Sequence, residues 1–213
     1  MKVQTLKGFR DFLPVEARKR QYVIRQLAEV FESYGFEPLE TPALEYQEIL
    51  LGKYGEEGDK LMYKFKDNGD RDVALRYDQT VPLARVVAQY QNELPMPFKR
   101  YQIQPVWRAE NTQKGRYREF LQCDADIVGA SSPLSDAEVI AVAGKAMEKL
   151  GFSAKGGSAS GGKDFKIFVN DRSIFSNLSS VEKFPEDKII LAIRAIDKLK
   201  KIGKEGVLDE MIK

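Results

Sequence analysis

Two extended runs, Phe98 to Arg108 and Arg118 to Val128, are separated only by Ala109-Glu-Asn-Thr-Gln-Lys-Gly-Arg-Tyr117, and that spacing constrains this chain more than any other feature. A polar connection with a single glycine is too short for the crossover that parallel strands require, so the two runs can pair only as antiparallel neighbours. Side chains two apart share one face of a strand. Phe120, Gln122, Asp124 and Asp126 therefore line one side of the second strand, and Leu121, Cys123, Ala125 and Ile127 line the other. By the same period Gln102, Gln104, Val106 and Arg108 share a face of the first strand, and Glu110 continues that parity into the loop. One side of the pair is apolar, where Cys123 reads as inert core. The other offers amides, carboxylates and an arginine to a ligand.

The remaining chain reads as helices and short strands around that pair. From Glu16 to Tyr34 the residues Val23, Leu27, Val30, Phe31 and Tyr34 recur at helical spacing, with Pro14 ahead and Gly35 where a left-handed cap belongs. Phe36 to Pro42 alternates apolar and polar residues but carries two prolines, which suits an edge or terminal strand. Leu61–Phe65 and Val73–Tyr77 flank Asp67-Asn-Gly-Asp70, an Asn-Gly hairpin signal. Asp78 can cap a helix running to about Gln91, with Val81, Leu83, Ala84, Val87 and Ala88 available for burial. Leu134 to Leu150 is a further amphipathic helix, capped by Ser135 or Asp136 and ending at Gly151. Gly156 to Gly162 has the composition of a flexible linker. Lys166–Val169 suits a last strand and Glu186–Lys201 a last long helix.

Composition narrows the chemistry. At 213 residues, the length lies between one and two domains of about 150 residues each, and 43% hydrophobic residues suffice for a core. Histidine is absent and cysteine occurs once, which excludes Ser-His-Asp and Cys-His catalysis, the usual Cys/His zinc sites and an intramolecular disulfide. Any catalysis must run on carboxylates, amides and arginines. Lys+Arg 34 against Asp+Glu 32 leave a net charge of +2, so no global field draws the chain to nucleic acid. No apolar run approaches the roughly 18 residues of a membrane helix, and the amino terminus carries charges throughout, as expected of a cytoplasmic protein without a membrane partner.

Three segments resemble the catalytic domain of the histidyl-tRNA synthetases, which are class II aminoacyl-tRNA synthetases: Lys7-Gly-Phe-Arg-Asp-Phe-Leu-Pro14, Leu75-Arg-Tyr-Asp-Gln-Thr80 and, most specifically, Trp107-Arg-Ala-Glu-Asn-Thr-Gln-Lys-Gly-Arg-Tyr-Arg-Glu-Phe-Leu-Gln122. The resemblance implies an α+β fold in which a mostly antiparallel sheet of class II type is flanked by helices. It implies a homodimer formed through the helix and strand between Glu16 and Pro42, and the substrates histidine, ATP accompanied by Mg2+, and tRNA(His). In that family's pattern Arg108 bridges the α-phosphate and the substrate carboxylate, Glu110 accepts from the adenine amino group, Phe120 stacks on adenine, and Arg116 reaches the terminal phosphates. Asp78 and Thr80 stand where the α-ammonium is bound, and Gln122 and Asp126 where ammonium and imidazole are read. Amino acid activation suits such residues, because it asks for negative charge to be held and oriented without proton transfer to a protein base.

Asp stands at 78 and 126 where many relatives carry Glu. The family's glycine-rich third motif, its histidine-specific segment and its anticodon-binding domain have no counterpart before Lys213. The resemblance therefore implies an amino-terminal piece: residues 1–185 a partial catalytic domain, and 186–213 a helix leading into an insertion domain, with weak or no activity alone. Bland readings stand beside the functional ones. An Arg-x-Glu pair alone is ordinarily a surface ion pair, Gln122 and Asp126 alone are solvated strand residues, Asp78 is a helix cap or a ligand or both, and Lys198, Lys200, Lys201 and Lys204 form a solvated helix face. The alternative function is a histidine-binding regulatory subunit of ATP phosphoribosyltransferase, synthetase-like but non-aminoacylating. Such a sensor needs neither Glu110 nor Arg116, and this chain has both.

Overall fold

The computed structural model describes residues 3–153, 164–171 and 186–212. The linker-like tract 156–162 lies outside them. The chain divides into two compact units, Met1–Lys166 and Ile167–Lys213. In the first, helix α1 (Pro14–Ser33) leads through β1 (Glu37–Pro38) to β2 (Leu44–Tyr46) and the short helices α2 (Gln47–Leu50) and α3 (Gly55–Lys60). Then come β3 (Lys64–Lys66), β4 (Asp72–Leu75), helix α4 (Thr80–Gln89), the long strands β5 (Phe98–Trp107) and β6 (Glu119–Val128), and helix α5 (Pro133–Lys149).

The expected long pair is present. β5 and β6 are antiparallel in one register from Phe98↔Val128 to Trp107↔Glu119, and Arg108 N donates to Arg118 O beyond the last pair at 2.9 Å. The expected edge strand shrinks to two residues, and β1 runs parallel to β5 with Glu37 opposite Arg100. Among the described residues the strands form two three-stranded sheets, β1-β5-β6 and the antiparallel β2-β4-β3. The apolar side of the long pair packs Tyr101, Ile103, Ala125 and Ile127 against Phe31 and Phe36 at the end of α1 and Val142 of α5. Cys123 departs from its expected place in that core and is exposed on the strand surface.

Local sequence accounts for most element ends. Gly35 takes φ +74, with Gly35 N bonded to Glu32 O and Phe36 N to Phe31 O, a left-handed cap that ends α1 and turns Phe36 into the core. Val23, expected inward, is exposed. Between β3 and β4 the turn forms, but the left-handed residue is Asp70 (φ 59), because Asp67 Oδ1 accepts from Gly69 N and Arg71 N and so shapes the loop itself. Asp78 Oδ1 accepts from Thr80 N and Val81 N at the head of α4, as expected of a cap. On that helix Pro82, Leu83 and Val86 are buried, whereas Ala84 and Ala88 face outward. α5 is capped by Ser132 rather than Ser135 or Asp136, and Pro133 follows at its first turn.

Residues 166–169, where a last strand was expected, form none. The last helix is broken into α6 (Glu186–Asp197) and α7 (Leu199–Ile212), the latter bent where Gly203 takes φ 73. Ala192, Ala195 and Val207 are buried there, and Lys198 pairs with Glu210 at 2.7 Å.

A buried polar seam ties the small sheet to the large one. Arg76, 1% exposed, donates from Nη1 to Thr41 O (2.6 Å), Pro42 O (3.2 Å) and Gln104 Oε1 (3.0 Å), and from Nε to Pro105 O (2.9 Å). Its backbone continues the join, since Arg76 N donates to Ala43 O and Trp107 N to Arg76 O. Gln102 Nε2 donates to Thr41 Oγ1 and to Gln104 Oε1, and Gln79 Nε2 to Gln104 O. Pro105 survives inside a long strand because it needs no donor there, and its carbonyl is claimed by Arg76. Arg76→Met would take the guanidinium donor from the carbonyls of Thr41, Pro42 and Pro105 at once, Gln104 Oε1 keeping Thr41 N and Gln102 Nε2, and should lower unfolding stability by about 3–5 kcal/mol, measured by denaturant titration. Arg76→Lys should recover little of it, because an ammonium cannot reproduce the planar fork. Gly8 is a second tight point: at φ +91, an added Cβ would lie 2.7 Å from Arg118 Cγ and 2.9 Å from Thr112 Cγ2, while Gly8 O accepts from Arg118 N. Gly8→Ala should cost about 1–3 kcal/mol in the same titration, through left-handed strain and the lost approach to the hairpin.

Candidate active site

The polar face of β5 and β6 carries its groups in cross-strand rows: Arg100 opposite Asp126, Gln102 opposite Asp124, Gln104 opposite Gln122 and Val106 opposite Phe120. This is the parity expected from the alternation. The row at the far end is a charge cluster. Arg100 is fully buried, its Nη2 lies 2.5 Å from Asp126 Oδ2, and its Nη1 donates to Gln102 Oε1. Burial pushes the Arg100 pKa down, opposed by the charges of Asp126, Asp124 and Asp78. Burial also raises the Asp124 carboxyl, opposed by Arg100 and by the hydrogen bond from Gln122 Nε2 at 2.9 Å. Gln122 Oε1 is buried without a hydrogen-bond partner among the described residues. One arginine thus faces three carboxylates, an arrangement that attracts a cation.

Asp78 joins this cluster from the head of α4. Tyr54 Oη donates to Asp78 Oδ1 at 2.8 Å, onto the same oxygen that caps the helix. Burial, and then Asp78, hold the Tyr54 phenol well above its ordinary range, so it remains a donor. Thr80 is the exposed first residue of α4 and meets Asp78 through its backbone N–H.

At the opposite end of the hairpin lies a cleft of about 650 Å³ lined by Arg10, Arg108, Glu110, Gly115, Arg116, Tyr117 and Phe120. The Arg108 guanidinium lies 4.5 Å from the Tyr77 ring centroid and 5.2 Å from that of Phe120, and its Nε donates to Tyr77 O. A planar cation between two rings is held in orientation, and no carboxylate of the described residues pairs with it. Glu110 pairs loosely with Arg116 at 3.5 Å, and Arg116 is 68% exposed. Arg118 Nε donates to Glu110 O and anchors the loop. Gly115, at φ +85, turns the loop where Arg116 N bonds Gln113 O.

The fold therefore gathers Arg108, Glu110, Arg116 and Phe120 around one cleft, and Asp78, Gln122 and Asp126 around Arg100 and Asp124. Four participants were not singled out in the sequence. Arg100 shares the parity of Gln102 and Gln104, so period two alone places it on this face. Tyr77 lies inside the second quoted motif and Arg10 inside the first, where their positions gave no role. Tyr54 arrives from a glycine-flanked turn distant in sequence, and no local pattern announces it.

Comparison with known proteins follows this geometry. The family described as "Histidyl-tRNA synthetase" matches residues 8–156. The chain is 50% identical over 207 residues to the histidine–tRNA ligase of Aeropyrum pernix, covering 96% of this chain and 45% of that protein. With the Treponema denticola histidine–tRNA ligase it shares 48% over 205 residues, 96% of this chain and 43% of that protein. The chain thus spans less than half the length of these relatives. Among solved structures, histidyl-tRNA synthetase from Nostoc sp. PCC 7120 superposes with a TM-score of 0.84 at 36% identity, over 99% of this chain and 45% of that one. An ATP phosphoribosyltransferase regulatory subunit/histidyl-tRNA synthetase from Bacillus halodurans C superposes at 0.78 with 25% identity, over 97% of this chain and 51% of that one. By sequence and by fold, the chain belongs to the histidyl-tRNA synthetase family of class II aminoacyl-tRNA synthetases.

Proposed function

We propose that this chain supplies the ATP- and histidine-facing hairpin of a histidine–tRNA ligase, which joins histidine to the α-phosphate of ATP and passes the aminoacyl group to tRNA(His). The observation that carries the reading is Arg108, fixed between Tyr77 and Phe120 in a cleft that also holds Glu110 and Arg116. In this reading the guanidinium fork bridges the α-phosphate and the substrate carboxylate, Phe120 stacks on adenine, Glu110 accepts from its amino group and Arg116 meets the terminal phosphates. Asp78, Thr80, Gln122 and Asp126 form the histidine side, where carboxylates near a buried arginine favour an ammonium and an imidazole N–H. Mg2+ enters with the triphosphate; among the described residues no group of three or more acidic, cysteine or histidine side chains forms a resident metal site. The regulatory-subunit alternative has no use for Glu110 and Arg116, and both line the cleft.

Residues 1–185 are the catalytic-domain part in this proposal, and 186–213 the lead into an insertion domain. Among the described residues no helix is long and apolar enough to cross a membrane; the proposed activity belongs to translation and hence to the cytoplasm. A two-fold pairing of subunits is assigned to α1 and the segment to Pro42. Support comes from exposed Leu13 just ahead of α1, from exposed Val15, Tyr22 and Val23 on it, and from an apolar groove of about 680 Å³ lined in part by Leu39, Pro42, Leu44 and Tyr90.

Two outcomes are expected. Titration calorimetry should find ATP bound by this chain in about the millimolar range, since Arg116 is solvated and a solvated charge contact contributes little. Arg108→Ala should abolish that binding, and Lys201→Ala, in the separate helical unit, should leave it unchanged. ATP binding by Arg108→Ala equal to the parent's would remove the role assigned to the whole 108–122 segment. Sedimentation at tens of micromolar should give a dimer, and a monomer there would sink the pairing assigned to α1.

A further inference from the structure

The three arginines of the cleft are restrained differently. Arg108 is fixed by a carbonyl and two rings, and Arg116 shares its charge with Glu110. Arg10 is held by rings alone, with neither a carbonyl nor a carboxylate partner among the described residues. Its guanidinium carbon lies 3.3 Å from the Tyr117 ring centroid and 5.1 Å from that of Phe12, and Phe12 is held from another direction by Arg20 at 3.9 Å. The Arg10 Nε is buried and meets no hydrogen-bond partner among the described residues, and no carboxylate there pairs with the side chain. Stacking on aromatic faces orients a guanidinium without cancelling its charge and leaves its N–H edge unused. With Arg10 counted, the cleft holds three arginines against Glu110 alone.

The placement of Arg10 is built into the backbone. Gly8 O accepts from Arg118 N at 2.8 Å, and Gly8 approaches Arg118 and Thr112 too closely for any Cβ. The amino-terminal segment is therefore pressed against the hairpin two residues before Arg10, which delivers the side chain onto Tyr117, next to Arg116. Arg108 stands at the strand end of the cleft, whereas Arg10 and Arg116 come from the outer segments.

We infer that Arg10 is a third cationic binding residue of this cleft, meeting the phosphates of the nucleotide beyond the first. The inference rests on the ATP reading of the cleft and extends it to a residue outside the 108–122 segment. Three cations lining one cleft beside a single carboxylate suit a polyphosphate, whose several charges can each meet a guanidinium.

The test is calorimetry on the 213-residue chain with MgATP, AMP and inorganic tripolyphosphate as probes. Arg10→Gln should weaken MgATP and tripolyphosphate about tenfold, the effect of one charge-assisted contact, and change AMP by less than about twofold. Arg10→Lys should restore most of the loss, since it returns the cation. Equal weakening of AMP and MgATP, or no rescue by lysine, would show that Arg10 only props Tyr117 and would overturn the inference. Unchanged MgATP binding by Arg10→Gln would overturn it while leaving the ATP reading intact. A parent chain that binds none of the three probes would overturn both.

Discussion

Arg76 is buried beneath the polar face with no carboxylate of the described residues in hydrogen-bond contact, its guanidinium facing three backbone carbonyls and the Gln104 amide oxygen. Burial drives its pKa down, and Glu45 and Glu40 oppose that through their charge. A single buried cation so placed has a structural consequence: the carbonyls of Thr41, Pro42 and Pro105 belong to segments distant in sequence, and one planar group fixes all three. The small sheet, the segment ending at Pro42 and the middle of β5 are thereby held in one arrangement. Gln102 and Gln104 complete the seam, and they are also the floor on which Gln122 and Asp124 stand across the ladder.

On that floor the hairpin separates charge along its length. One end sets Arg100 among Asp124, Asp126 and Asp78, and the other sets Arg10, Arg108 and Arg116 around Glu110. An ammonium is drawn to the first and a polyphosphate to the second, and both fields come from one pair of strands. Two rigid strands are well suited to this because register keeps the rows in order. Arg108, at the basic end, is stacked on Tyr77, whose ring lies 4.8 Å from that of Tyr54. Tyr54 in turn donates to Asp78, so a chain of ring and hydrogen-bond contacts runs from the acidic cluster to the basic cleft.

Much of this was legible because it obeys short periods. Alternation by two over 98–108 and 118–128 assigned the faces, including Phe120 and Gln122, and the spacing of Gly35 and Gly151 after helical runs marked two helix ends that the backbone observes at φ 74 and φ 90. Misreadings occurred where a residue's partner lies outside the window that periodicity covers. Cys123 has the parity of the core side, yet it is exposed while Ala125 and Ile127 on the same face pack against the core, so parity alone does not say where along a strand the core ends. The hairpin read from Asn68-Gly69 forms, but its left-handed residue is Asp70, because the Asp67 carboxylate organises the turn, a detail the dipeptide signal does not specify. The last helix expected over 186–201 is interrupted at Lys198, and the helix that follows bends at Gly203, a pair of breaks that apolar spacing alone does not foresee.

What the sequence by itself determined is the local content: two strands joined too tightly to be anything but antiparallel, a polar and an apolar face, helices with their caps, and chemistry restricted to carboxylates, amides and arginines because no histidine is present. Only the tertiary structure decided which charges meet. Arg100 finds Asp126, Tyr54 finds Asp78, Arg76 finds Thr41 and Arg10 finds Tyr117. Faces follow from the geometry of one chain segment, whereas the pairing of buried charges depends on where unrelated segments end up, because desolvation makes each such group take the nearest partner the whole fold supplies.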